Sequence, residues 1–123
     1  QQGDIDESLQ LFHASLADAR TSGDVRSVLG NTLKIASIAL DQGDTDAASA
    51  ALAECRAEAE QLRDRRRLSE LHWLSARLHL LQGDTTMART NLLAAIDLFN
   101  RLGMRRELAE AQAALDNLDN PRS

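Results

Sequence analysis

The chain has 123 residues, with 19 Asp and Glu against 14 Lys and Arg, for a formal net charge of −5. That length bounds it to one domain or a piece of one, and the acidic balance argues against general nucleic-acid affinity. Apolar residues make up 43% but aromatic ones only 2%, so a core must be built from Leu, Ile, Val and Ala.

The abundance of Ala, Leu, Glu and Arg favours helices. Asp4-Ile5-Asp6-Glu7 opens the first, over 4–22, with Asp4 as cap and Glu7 at capping-box spacing. Ile5, Leu9, Phe12 and Leu16 form its apolar face. Ser22-Gly23-Asp24 stops it. A second helix, 25–41, carries Val28, Ile35, Ala36, Ile38 and Ala39, and ends at Gln42-Gly43, where Gly takes the left-handed conformation. Asp44 caps a third, 45–63, with Ala48, Leu52, Cys55, Ala59 and Leu62. Arg63-Asp64-Arg65-Arg66-Arg67 is the next break, and a fourth helix over 66–82 holds Leu68, Leu71, Leu74, Leu78 and Leu81. Asp84 caps a fifth, 85–102, with Met87, Ala88, Leu92, Ala95, Ile96 and Phe99. Past Leu102-Gly103-Met104, a sixth over 105–118 bears Leu108, Ala111, Leu115 and Leu118 and stops before Asn120-Pro121. No strand signal, linker, membrane-length apolar run or signal-peptide pattern interrupts this series.

One tripeptide punctuates the series. Gln2-Gly3-Asp4, Gln42-Gly43-Asp44 and Gln82-Gly83-Asp84 recur at a step of 40 residues. A fixed step is the signature of a repeat array. At that step Phe12, Leu52 and Leu92 coincide, as do Ser8, Ala48 and Ala88, then Ser15, Cys55 and Ala95. In the alternate helices Val28, Leu68 and Leu108 coincide, and so do Ile38, Leu78 and Leu118. Large positions stay large and small ones small, the condition for helices that pack in register. Such pairs cannot cover their own apolar faces and must stack. The chain does not begin with Met and its first residues already belong to a repeat, so it is read as a fragment of a longer protein.

On these residues the chain resembles the tetratricopeptide repeats, in the variety with a 40-residue period known from bacterial regulatory proteins. The best match runs from Gly23-Asp24 through Ile35-Ala36, standing where the family has Leu-Gly, to Gln42-Gly43-Asp44, with Ala48, Leu52 and Cys55 following its small, large, small pattern. The chain departs from the family at its aromatic positions, which hold Thr32, Ala39, His72 and His79, and lacks its frequent terminal Pro. The resemblance implies an all-α fold of six antiparallel helices in a right-handed superhelical stack. It divides the chain into a partial repeat over 1–24, repeats over 25–63 and 64–104, and a terminal helix over 105–118. Asp116 stands where the first helices otherwise carry Ala36 and Ala76. With Asn117, Asp119 and Asn120 it marks the sixth helix as a polar end, or simply points outward.

The chemistry-bearing residues do not assemble into a catalytic set. His72 and His79 are seven apart on one helix, yet Glu70 and Asp84 do not complete a metal-ligand spacing. Cys55, the single cysteine, occupies a small packing position, excludes an internal disulfide and fits a cytoplasmic setting. The Gly-Asp turns lack the Lys-Ser or Lys-Thr of a phosphate loop. The sequence thus indicates no enzyme, no cofactor and no metal, and points to a partner of protein or peptide type, with no nucleic acid or membrane engaged directly.

Two surfaces are candidates. The resemblance implies a concave face that contacts extended peptides, carried here by Lys34, Ser37 and Asp41, then Glu70, Trp73, Arg77 and Leu81, then Glu110 and Asn117. Trp73, the one Trp, lies a turn from both Glu70 and Arg77, suited either to anchoring a partner or to packing against the next repeat. The second is a basic edge: Arg63, Arg65, Arg66 and Arg67 at one turn, Arg105 and Arg106 at the equivalent place. It could hold an acidic or phosphorylated segment, or be a solvated turn whose arginines pair with Asp64, Glu70 or Glu107. The function implied is a protein- or peptide-binding scaffold; the alternative is a regulatory sensor whose groove takes a small molecule or signal peptide. The apolar residues of the first helix, Leu11 included, run wider than one stripe, from which self-association through that helix is expected.

Overall fold

A computed structural model describes residues 2–120, apart from the side chain of Gln2. It contains six helices: α1 (Gln2–Ser22), α2 (Val25–Asp41), α3 (Thr45–Leu62), α4 (Arg65–Gln82), α5 (Thr85–Leu102) and α6 (Arg105–Asp119). No strand occurs among the described residues. Pro121 lies outside them.

From α2 onward each helix begins 20 residues after the last, and the chemistry of the turns fixes that interval. At the end of α2, Gly43 takes φ 74°. Its N–H then reaches the Leu40 carbonyl at 3.0 Å, and the Asp44 N–H the Ala39 carbonyl at 2.8 Å. This is a Schellman closure, which satisfies carbonyls the helix would leave unpaired. Asp44 at once serves the next helix, its Oδ1 accepting from the Ala47 N–H at 3.1 Å. Asp24, Asp64 and Asp84 cap α2, α4 and α5 in the same way. Such a cap is worth about 1 kcal/mol. Met104, ahead of α6, brings no side-chain cap. The turn at Arg63 has the same left-handed backbone, φ 52°, in a residue with a Cβ.

The first tripeptide behaves differently from its two copies, which corrects the reading of Asp4 as a cap. Gly3 is not in the left-handed region, and α1 is helical from Gln2, so Asp4 sits inside its first turn. There it faces the positive end of the helix dipole instead of capping a free N–H. The other expected boundaries agree with the observed ones to within one residue.

The chain forms two compact units, Gln1–Leu62 and Arg63–Ser123. In the first, α2 packs against both α1 and α3; in the second, α5 packs against both α4 and α6. Turns of two or three residues between contacting helices make the neighbours antiparallel. A helix gripped on two sides buries a wide stripe, and α2 accordingly buries Leu29, Thr32, Leu33 and Leu40 besides Ile35, Ala36 and Ala39. Leu29 and Leu33 were not among its expected apolar positions, yet they are among the largest fully enclosed side chains. The core of the second unit centres on Ala76, Leu92, Ala95, Phe99 and Ala111, with Trp73, Ile96, Met104, Leu108, Ala114, Leu115 and Leu118 packed on it.

The equivalences at the 40-residue step divide by helix. Leu52 and Leu92 are buried, as are Ala48, Ala88, Cys55 and Ala95. Their counterparts on α1 are not: Phe12 and Ser8 are half-buried and Ser15 is exposed. Ile5 and Leu9 are also half-buried, because within its unit α1 packs mainly on α2. Leu81 and Met87, placed on apolar faces by spacing, are 54% and 43% exposed. Each sits at a helix end, past the area its neighbour covers.

Candidate functional site

Four of the sequence-derived groove residues share one strip of α4. Glu70, Trp73, Arg77 and Leu81 follow one another at steps of three or four residues, which places them on one face. The strip is graded. Glu70, Trp73 and Arg77 are half-buried, and Leu81 is mostly exposed. Trp73 packs against the Ala76–Leu92–Phe99 core, so its ring is held from behind while part of it faces solvent. Glu70 is engaged by its own helix: Arg67 donates to it at 3.2 Å and Arg66 lies at 3.8 Å. On α6 of the same unit, Glu110 and Asn117 are exposed. In the first unit Lys34 and Asp41 are exposed on α2 and Ser37 is half-buried.

The basic edge is partly neutralised within its own helices. Arg66 and Arg67 flank Glu70, and Arg106 lies 3.5 Å from Glu107. Asp64 caps α4 through the Arg67 N–H at 3.2 Å. Arg63, Arg65 and Arg105 are exposed. Arg65, Arg66 and Arg67 fill the first turn of α4, where no acid balances them. Cations there oppose the helix dipole by a few tenths of a kcal/mol each. Glu70, one turn on, is the local compensation.

The three histidines differ in their surroundings. His13 is exposed. The His72 Nδ1 lies 3.2 Å from Asn91 Oδ1, and the Asn91 amide donates to the Met87 carbonyl at 3.0 Å. With that amide committed, Asn91 Oδ1 accepts and His72 Nδ1–H donates. The His79 Nδ1 is 4.0 Å from an Asp84 oxygen, too long for a hydrogen bond, and it is enclosed without a partner. Among the described residues no three His, Cys, Asp or Glu side chains gather as a metal ion would require.

Sequence reasoning missed a cavity in the first unit. It measures about 250 Å³ and lies where the end of α1, the start of α2 and the middle of α3 meet. Ala19, Val25, Val28 and Leu29 give it an apolar lining, with Thr32, Cys55, Glu54, Glu58 and Arg20 around them. Arg20 and Glu54 pair at 3.1 Å, each more than half exposed. Glu58 Oε2 is enclosed and has no hydrogen-bond partner. Cys55 is 1% exposed, and its thiol is pushed up to about 12, first by burial and then by Glu58 and Glu54. A thiol so held is neutral and inert as a nucleophile. No local signal announces this space, because its walls come from three helices.

Among the described residues no helix is long and apolar enough to cross a membrane. Comparison with protein-family models, with curated proteins and with solved structures gives no match.

Proposed function

We propose that this chain is a helical-repeat module that binds a protein or peptide partner, the interaction part of a larger cytoplasmic regulatory protein of the bacterial kind suggested by its resemblance to tetratricopeptide repeats. The finer architecture that goes with this reading is a right-handed superhelical stack of helix pairs. The observation that carries it is the α4 strip: a Trp fixed against the core on one side and open on the other, in line with Glu70, Arg77 and the exposed Leu81. A rigid, amphipathic ring beside a guanidinium is the combination that dominates binding energy at interfaces. An extended peptide has unpaired backbone groups and side chains that such a strip can meet with an apolar contact and a charge. Leu11, 69% exposed on α1, adds a second surface, through which the chain self-associates. The sensor alternative places a small molecule on the groove; the half-open space described above is lined by residues of α1–α3 and shares none with the α4 strip.

The test is a selection of linear peptides from a random display library on the intact chain. Selected peptides should change Trp73 fluorescence on binding and lose at least about tenfold in affinity with Arg77→Ala or Leu81→Ser, the loss of one hot-spot contact. Binding indifferent to Trp73→Ala, Arg77→Ala and Leu81→Ser would overturn the assignment and move the site to the arginine edge or to another face.

A further inference from the structure

We infer that the cavity between α1, α2 and α3 is a binding site for a small organic cation, a primary ammonium carried on a short apolar body. Three observations converge. The first is size. About 250 Å³ lies below the usual range for drug-sized ligands, roughly 300–1,000 Å³, and holds about eight waters at roughly 30 Å³ each. That suits a fragment of a few heavy atoms. The second is the lining. Ala19, Val25, Val28 and Leu29 offer methyl groups on one side while Glu54 and Glu58 stand on α3 at the other. The third is charge. Arg20 is matched by Glu54 at 3.1 Å, which leaves Glu58 as the one uncompensated charge of the lining. Its Oε2 is enclosed and unpartnered.

An enclosed carboxylate oxygen without a donor is costly, and such atoms call for a partner. An ammonium group in this space supplies the charge opposite to the Glu58 carboxylate, while its alkyl chain covers the methyl groups. The surrounding field favours the same sign, since residues 1–62 carry four basic against eleven acidic side chains. A clustered negative potential raises the local concentration of cations and repels anions. The neutral Cys55 thiol adds no charge at neutral pH.

The experiment is an NMR titration of the intact chain with n-butylammonium, n-butanol and butyrate, following backbone amides. The ammonium ion should shift Ala19, Val28, Leu29 and Cys55 saturably and bind at least about tenfold tighter than butanol, with butyrate silent. Glu58→Gln keeps the shape and removes the charge, and should bring the ammonium down to the level of butanol. Glu54→Gln, at the paired and exposed position, should cost under about threefold, as for a surface charge. Val28→Phe fills the space and should abolish both ligands while the helical spectrum is retained. Equal binding of the three probes, undiminished ammonium binding in Glu58→Gln, or no saturable shift up to about 100 mM ammonium would each overturn the inference.

Discussion

Leu92→Ala is the sharpest test of the packing. Leu92 is fully enclosed at the centre of the second unit, among Ala76, Ala95, Phe99 and Ala111. Three of these four neighbours are alanines, whose Cβ atoms are fixed to helix backbones and cannot swing into a void. The Phe99 ring has some reach, and Trp73, Ile96, Met104 and Leu108 pack on the cluster from outside. Truncating a buried Leu costs about 2–5 kcal/mol, the larger values where the site cannot collapse. The expected loss here is about 2–5 kcal/mol, a large share of the roughly 5–15 kcal/mol by which a domain is stable. Urea denaturation followed by Trp73 fluorescence reads it directly, because Trp73 packs on the same cluster. Leu52→Ala, at the equivalent and buried position of the first unit, should cost a similar about 2–5 kcal/mol by helical circular dichroism. Phe12→Ala, third of the set but half-buried, should cost less than either, roughly 1–2 kcal/mol from the area it removes. A loss under about 1 kcal/mol for Leu92→Ala, against the range for buried Leu, or a Phe12→Ala cost exceeding that of Leu92→Ala, would refute the register.

Arg63 adopts the left-handed backbone that Gly23 and Gly103 hold at the same place in the repeat. Arg63→Gly should therefore stabilise by about 0.5–1 kcal/mol, the relieved strain less the added chain entropy, read as a shift in the denaturation midpoint. The Cys55 thiol is raised from 9.0 to about 12. The fold thus favours the neutral form, and its contribution is complete below about pH 9 and lost between about 9 and about 12 as the unfolded thiol ionises first. Midpoints measured across that window should fall more steeply for the natural chain than for Cys55→Ala, and parallel slopes would contradict the shift. Leu11→Glu should reduce concentration-dependent self-association in sedimentation without altering the helical spectrum, whereas a natural chain that stays monomeric at the highest concentration would remove that surface from the account.

The helices were legible because their boundaries are written in local chemistry. Gly43 and Gly83 permit the left-handed stop, and the Asp that follows each serves as the next cap, so one dipeptide ends one helix and starts another. Where that chemistry changes hands the sequence misleads: Gly3-Asp4 looks identical and lies inside a helix. The buried face of α2 was harder to read, because packing against both α1 and α3 widens the stripe until Leu29 and Leu33 fall outside a single-face count. The α4 strip followed from the resemblance to tetratricopeptide repeats, but not the support of Trp73 from α5 and α6 residues, which no single helix encodes. The cavity was invisible for the same reason. Cys55 reads as a packing cysteine, and nothing marks Glu54 and Glu58 beside it until α1 and α2 close over them.

The reading of the chain as a peptide-binding repeat meets its most direct test in an amide-shift map of the intact protein with a display-selected peptide bound. The account predicts the largest shifts at Glu70, Trp73, Arg77 and Leu81, with the Trp73 indole N–H among them, and a loss of those shifts in Arg77→Ala. Shifts concentrated on the arginines at 63–67 and 105–106, or on the α1–α3 cavity, with Trp73 unmoved, would contradict it.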